Sequence, residues 1–339
     1  MRAVGYRQPL PIDAPDALLD VELPDPVATG RDLLVEVRAV SVNPVDTKVR
    51  RRAGPDAPGG VKVLGYDAAG VVRAAGPEAT LFRPGDEVFY AGSIARQGTN
   101  AELHLVDERI VGPKPRRLDF AQAAALPLTA ITAWEMLFDR LDVRRPVPGA
   151  AHALLLIGGA GGVGSIAVQL ARRLTDLVVI ATASRPETRA WVEELGAHHA
   201  VDHRGGDLAA QVRDLGLGAP AFVFSTTNTD EHLPAIVELI APQGRIGLID
   251  DPAALDALPL KRKSLSLHWE MMFARPLFRT ADMAAQHALL AAVSRLVDEG
   301  TLRTTLAETL GPIRAENLRK AHALIESGRS RGKVVLAGF

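Results

Sequence analysis

Ala153-Leu154-Leu155-Leu156-Ile157-Gly158-Gly159-Ala160-Gly161-Gly162-Val163-Gly164 is the stretch whose reading decides the fold of this chain. From Ala153 to Ile157 the run is uncharged, aliphatic and of strand length. Five glycines within seven residues follow, and beyond them Val163, Ile166, Ala167, Leu170 and Leu174 recur at helical spacing. Strand, glycine turn and helix together are the context that gives a G-x-G-x-x-G match its meaning. Here the match is Gly159-x-Gly161-x-x-Gly164. In such a match the glycines serve a tight turn, a close approach of backbone to a pyrophosphate, and close packing of helix on strand. The helix start then offers unpaired N–H groups and a positive dipole end to an anion. Gly159, Ala160, Gly161, Gly162, Val163 and Gly164 are therefore expected to hold a phosphorylated ligand.

Downstream, strands at 154–157, 178–181, 200–201, 222–225 and 245–249 alternate with helices at 163–174, 186–195, 207–215 and 230–241. That alternation predicts a doubly wound parallel sheet, with an apolar strand at 265–269 as its last member. Upstream, residues 1 to about 125 carry many short strands between Gly/Pro turns, the pattern of an irregular β-barrel. Helical patterns at 120–125 and 128–141 are broken by Pro127, and 281–299 is strongly amphipathic. The tail, 302–310, 317–327 and 333–336, reads strand, helix, strand, and is expected to return to the first domain. The expected division is 1–126 with 270–339, and 127–269.

Composition bounds the function. A length of 339 residues fits about two domains, and 47% hydrophobic residues suffice for large cores. A net charge of −1 supplies no global field for nucleic acid or an anionic membrane. The absence of cysteine removes disulfides, thiol catalysis and thiolate metal sites together. The first ten residues lack an apolar secretory core, and the glycines within 153–171 oppose a membrane span. A cytoplasmic enzyme is expected.

Sheets of this kind that bind NAD usually place an acid about 20 residues past the glycines, for the ribose 2′-OH. Here the second strand runs into Ala183-Ser184-Arg185-Pro186. A carboxylate would repel a 2′-phosphate, whereas a guanidinium binds it with a charge-assisted fork. Ser184 and Arg185 therefore point to NADPH; the plainer alternative is that Arg185 only starts the next helix. The basic run Lys48-Val49-Arg50-Arg51-Arg52 reads as a solvated face, with a phosphate or substrate role as the alternative.

Together these blocks resemble the medium-chain dehydrogenase/reductase superfamily, in its zinc-free quinone oxidoreductase branch. The matching segments are Asn43-Pro44-Val45-Asp46, Leu64-Gly65-Tyr66-Asp67-Ala68-Ala69-Gly70-Val71-Val72, Arg83-Pro84-Gly85-Asp86-Glu87-Val88, Ala124-Ala125-Leu126-Pro127-Leu128-Thr129-Ala130 and Ala160-Gly161-Gly162-Val163-Gly164. Asp250-Asp251-Pro252 and 261–269 further resemble a bacterial subgroup labelled zinc-type alcohol dehydrogenase-like. The resemblance implies a GroES-like barrel beside a Rossmann sheet, with a cleft between them lined by Asn43, Asp46, Lys48 and Tyr66. No zinc is expected: the first ligand position holds Asn43-Pro44-Val45-Asp46, the family's Gly-His-Glu block is Gly65-Tyr66-Asp67, and 90–101 holds no four-cysteine lobe. Hydride addition to a quinone or enone needs no Lewis acid, because the charge delocalises and hydrogen-bond donors can hold it.

By the same resemblance, Asn43 positions a substrate carbonyl or nicotinamide, Tyr66 donates to the developing oxyanion, and Asp46 orients them or relays a proton. Plainer roles are an Asx turn, a packed ring and a helix cap. Thr129 is placed at the cofactor's phosphates or nicotinamide, or else caps its helix. His203 lies at the position of a residue near the 2′-phosphate, or else in an exposed loop, while the family's usual lysine is Thr188. Thr226 and Ile249 end strands at the sheet's ligand-binding edge. Met271, Met272 and Phe273 form either an apolar substrate wall or core. The expected activity is NADPH-dependent reduction of quinones or α,β-unsaturated carbonyls; the alternatives are a cofactor-binding protein with little turnover and an alcohol dehydrogenase. The edge strand at 265–269 implies a homodimer.

Overall fold

The computed structural model describes residues 1–339, which divide into two compact units, 1–131 with 273–339, and 132–272.

In the second unit six parallel strands lie in the order His199–Val201, Val178–Thr182, Ala151–Ile157, Pro220–Ser225, Arg245–Leu248, Ser266–Trp269. In chain order this is 3-2-1-4-5-6, so the order reverses between Ala151–Ile157 and Pro220–Ser225. A reversal of this kind opens a crevice at the carboxyl ends of the strands. Ala151–Ile157 sits at the centre, and its residues from Ala153 onward are buried. Its even burial explains why the sequence shows an unbroken apolar run and no alternation. Helices Gly162–Leu174, Pro186–Leu195, Leu208–Arg213 and Thr229–Leu239 connect the strands.

The helical pattern at 128–141 resolves into two forms. Pro127–Trp134 is α-helical, while Glu135–Arg140 widens into a π-helix. Gly247 accommodates it: a Cβ there would meet the Met136 sulfur at 2.2 Å.

In the first unit the eleven-residue strand Asp32–Val42 is the hub. It pairs antiparallel with Ala68–Ala75, Leu103–Asp107 and Lys333–Ala337. The last pairing puts the C-terminal strand beside the barrel's longest one, which makes the unit discontinuous. Strands Glu87–Tyr90 and Val111–Pro113 extend the sheet, and Leu19–Glu22, Arg2–Tyr6 and Lys62–Val63 form a smaller one.

The Asn43-Pro44 turn opens a nine-residue helix, Pro44–Arg52. Proline suits its first position because no N–H is needed there. The basic run at its end is not a solvated face throughout: Arg50 is fully buried, donating to the Leu10 carbonyl and pairing with Glu326. Lys48, Arg51 and Arg52 stay at least partly exposed, and cations suit a helix C-terminus.

Candidate functional site

The glycine turn is built backward from the second strand. Thr182 accepts the Gly159 N–H at its carbonyl (3.0 Å) and the Gly158 N–H at its hydroxyl (2.9 Å). Gly158 takes φ +80°, so the left-handed residue of the turn lies one place earlier than the first glycine of the signature. Gly159 is required for another reason: a Cβ there would stand 2.8 Å from the Ala181 Cβ. At Gly164 a Cβ would meet Gly158 O at 2.3 Å and Gly159 O at 2.6 Å, so helix and turn touch through backbone. Gly161 is different. It has an ordinary φ of −70° and ψ of 177°, and a Cβ there would meet only Gly158 O, at 3.5 Å. Packing does not demand this glycine, and it leaves open space at the start of the thirteen-residue helix Gly162–Leu174. Such a helix start carries unpaired N–H groups.

Around this turn, Thr226 donates its hydroxyl to Ile157 O at 2.8 Å, closing the first and fourth strand ends together. Asp250 takes the Thr229 N–H (2.8 Å) and hydroxyl (2.6 Å), so the carboxylate holds the start of helix Thr229–Leu239. Ile249, beside it, is half-buried. Beyond the second strand, Ser184 and Arg185 are half-buried, and the Arg185 Nε lies 3.0 Å from Glu187. Thr188 is buried, its hydroxyl donating to Arg185 O and accepting from Arg185 N, so it cannot reach outward as a lysine would. His203 stacks edge-on with His232 at 5.6 Å; burial, then the His232 charge, hold it below the ordinary histidine range.

In the first unit, the residues expected at the reacting end share one buried network. Asp46 takes the Asn43 N–H (2.8 Å) on one oxygen and the Gly65 N–H (2.9 Å) on the other. It thus caps its own helix and anchors the loop before Tyr66. Burial pushes its carboxyl up to about 7, against those two N–H groups and the Lys333 charge. Asn43 is buried, and both ends of its amide are engaged. Its Oδ1 accepts from Lys333, while its Nδ2 donates to Asp67 at 2.8 Å and lies 3.4 Å from the Ser41 and Tyr66 carbonyls. An amide so occupied holds the protein together and has no donor left for a substrate. Thr129 is buried too, its hydroxyl donating to Leu126 O at 3.1 Å. The Tyr66 ring is buried edge-on against Phe273, 5.3 Å between centroids, and burial raises its phenol above the usual range, so it stays protonated. Met272 and Phe273 are buried, but Met271 is half exposed, so the three do not form one wall.

Two members of this network, Asp67 and Lys333, were not among the expected site residues; burial raises the Asp67 carboxyl, against the Lys333 charge and the bonds from Asn43, Leu128 and Ser41. Lys333 lies 3.1 Å from Asp67 Oδ2, on the final strand, and both are buried.

Comparison with known proteins agrees with this architecture. A family described as "Alcohol dehydrogenase GroES-like domain" matches residues 29–116, and one described as "Zinc-binding dehydrogenase" matches residues 195–336. A zinc-type alcohol dehydrogenase-like protein of Staphylococcus aureus is 41% identical over 340 residues, covering 99% of each chain. The crystal structure of a putative zinc-dependent alcohol dehydrogenase from Rhizobium etli is similar with a TM-score of 0.98 and 68% identity, covering 100% of this chain and 98% of that one. The quinone oxidoreductase of Coxiella burnetii is similar with a TM-score of 0.80 and 26% identity, covering 100% and 99%.

The zinc in these names does not fit the residues present. The chain has no cysteine, and no three of its His, Asp and Glu side chains gather as a metal site needs. Every carboxylate oxygen of Asp46 and Asp67 already accepts from an N–H, a hydroxyl or the Lys333 ammonium. A cation of the protein's own stands among them. The glycine turn, by contrast, fits a dinucleotide: the open space is at Gly161, where a pyrophosphate needs backbone exposed.

Proposed function

This chain belongs to the medium-chain dehydrogenase/reductase superfamily, and we propose that it is an NADPH-dependent, metal-independent reductase of quinones or α,β-unsaturated carbonyls. The observation that carries the proposal is the Lys333 ammonium on Asp67, beside Asn43 and Tyr66 at the positions where metal-dependent relatives would need zinc ligands. Residues Gly159 to Gly164 would receive the pyrophosphate, Ser184, Arg185 and His203 the 2′-phosphate, and Thr226, Ile249 and Thr129 the rest of the dinucleotide. When bound, the reduced nicotinamide supplies a hydride. Tyr66, kept protonated by burial, donates to the oxygen that gains charge. Asp46, with its carboxyl near neutrality, is suited to relay a proton. Asn43 acts through the network by holding these residues in place.

Arg185 is the cationic side chain at the end of the second strand, and it is half-buried. Its pair with Glu187 lies at the surface, where such pairs are worth about 0–1 kcal/mol. A dianionic phosphate offers the guanidinium a stronger, charge-assisted partner than an exposed carboxylate. The exposed edge of Ser266–Trp269, with Trp269 and Met271 each about half exposed, favours a homodimer.

The test is NADPH oxidation against a panel of quinones, enones and simple aldehydes, repeated with NADH. Turnover with quinones or enones and NADPH is expected. Substituting Arg185→Ala should weaken NADPH binding about 10–100-fold, the worth of one charge-assisted bond, and leave NADH unchanged. The saturated amide of Asn43 and the engaged hydroxyl of Thr129 favour a second reading, a protein that binds the dinucleotide and turns over little. Tight NADPH binding with no oxidation by any acceptor would select it.

A further inference from the structure

We propose that Lys333 is a positioning residue: with Asp67 it fixes the register in which the barrel presents Tyr66, Asn43 and Thr129. The ammonium has three donors and meets three acceptors: Val42 O at 3.1 Å, Asp67 Oδ2 at 3.1 Å, and Asn43 Oδ1. Because an ammonium only donates, the Asn43 amide has one orientation here, oxygen toward Lys333 and nitrogen toward Asp67. Asp67 gathers the remaining segments. Its Oδ2 also accepts from Ser41 Oγ and Asn43 Nδ2, both at 2.8 Å, and its Oδ1 accepts from Leu128 N at 2.7 Å.

Four parts of the chain therefore end on one buried ion pair: the end of strand Asp32–Val42, the loop before Ala68–Ala75, the first turn of Pro127–Trp134, and the strand Lys333–Ala337. Tyr66 immediately precedes Asp67, and Thr129 immediately follows Leu128. Apolar packing at this junction would tolerate small shifts of one segment against another. Directional bonds to one carboxylate and one ammonium do not. Lys333 needs no contact with substrate to act in this way; it works through the residues it holds.

The catalytic part of this inference rests on the reductase reading, so the first measurement is one that needs no turnover. The chain has three tyrosines, Tyr6, Tyr66 and Tyr90. Fluorotyrosine-labelled protein therefore gives three 19F lines, and Tyr66→Phe assigns one of them. The variant is Asp67→Asn with Lys333→Met, which removes both charges together and avoids leaving one buried alone. The folded double variant should show the Tyr66 line shifted or split, with the Tyr6 and Tyr90 lines in place. Should it not fold, Asp67→Asn with Lys333→Gln, which also removes both charges and keeps a donor amide, reads the same line. An unmoved Tyr66 line in either folded variant overturns the proposal, whether or not the protein is a reductase. If the wild type turns over, kcat in the variant should fall at least 10-fold, more than the KM for NADPH changes. A moved line with unchanged kcat would overturn the positioning role while leaving the reductase reading intact.

Discussion

Two glycines of the same turn should fail in different ways when replaced by alanine. At Gly164 the added Cβ would stand 2.3, 2.6 and 2.7 Å from Gly158 O, Gly159 O and Gly159 C. All three are backbone atoms inside a turn that is itself bonded to Thr182, so none can swing away. The helix must move off the strand instead. Overpacking of this kind costs about 1–3 kcal/mol, which lowers the melting midpoint of a domain this size by roughly 3–12 °C. Gly161→Ala meets no such obstacle, since its φ and ψ suit alanine and its nearest contact would be 3.5 Å. The poorer helix cap and the lower entropy of the unfolded chain partly cancel, leaving stability within about 1 kcal/mol. The new methyl would stand where a pyrophosphate approaches the backbone, so NADPH affinity should fall at least about 10-fold, or 1.4 kcal/mol. Scanning calorimetry reads the first quantity. Fluorescence titration reads the second, because the Trp191 indole donates to Ser165 Oγ at 2.8 Å in the first turn of this helix. Wild-type NADPH affinity in Gly161→Ala, or wild-type melting in Gly164→Ala, would refute the assignment of one glycine to ligand and the other to packing.

Stability should depend on pH with opposite signs at two buried sites. His322 is held at about 3 by burial and then by Arg50, against an ordinary 6.5, so the unfolded chain takes up a proton first as pH falls. Its contribution is intact above 6.5 and drains away toward 3, on the order of 3 kcal/mol by pH 4, and His104, held at about 4, adds to the same trend. His322→Leu should flatten that acid slope in urea unfolding; an unchanged slope would contradict it. Glu270 is pushed up to about 8 by burial and by Glu135, with Arg140 at 2.8 Å as its counter-ion. It holds its proton in the fold, so stability is lost as pH rises from about 4.5 through 8. Glu270→Gln should gain about 1–3 kcal/mol over the wild type at pH 9 and nothing at pH 4; a gain independent of pH would point to packing instead.

What could be read from the residues, and what could not, divides along physical lines. Alternating strands and helices after Ala153 announced a parallel sheet because each element carries its own periodicity, and the order 3-2-1-4-5-6 places the glycine turn at the point of reversal. The glycine signature was legible as a motif, but not which glycine bends: that is Gly158, since Gly159 is dictated by Ala181 on the neighbouring strand. The π-helix at Glu135–Arg140 escaped because one widened turn barely disturbs an apolar face. Arg50 read as part of a solvated basic run, since the residue that pairs with it, Glu326, lies 276 positions away. Lys333 escaped for the same reason. In sequence it is only the first residue of a short strand, and its partner Asn43 is 290 positions distant. Asn43 and Asp46 were legible as special residues, but their bonds into the network can be seen only when distant segments are folded together.

The most direct test is NADPH oxidation by a quinone or enone acceptor with untreated protein, with protein treated exhaustively with a chelator, and with the treated protein after zinc is added. Turnover at the same rate in all three conditions is the predicted result. Activity that disappears on chelation and returns with zinc would contradict a site built on the Lys333–Asp67 pair with Asn43 bonded to it.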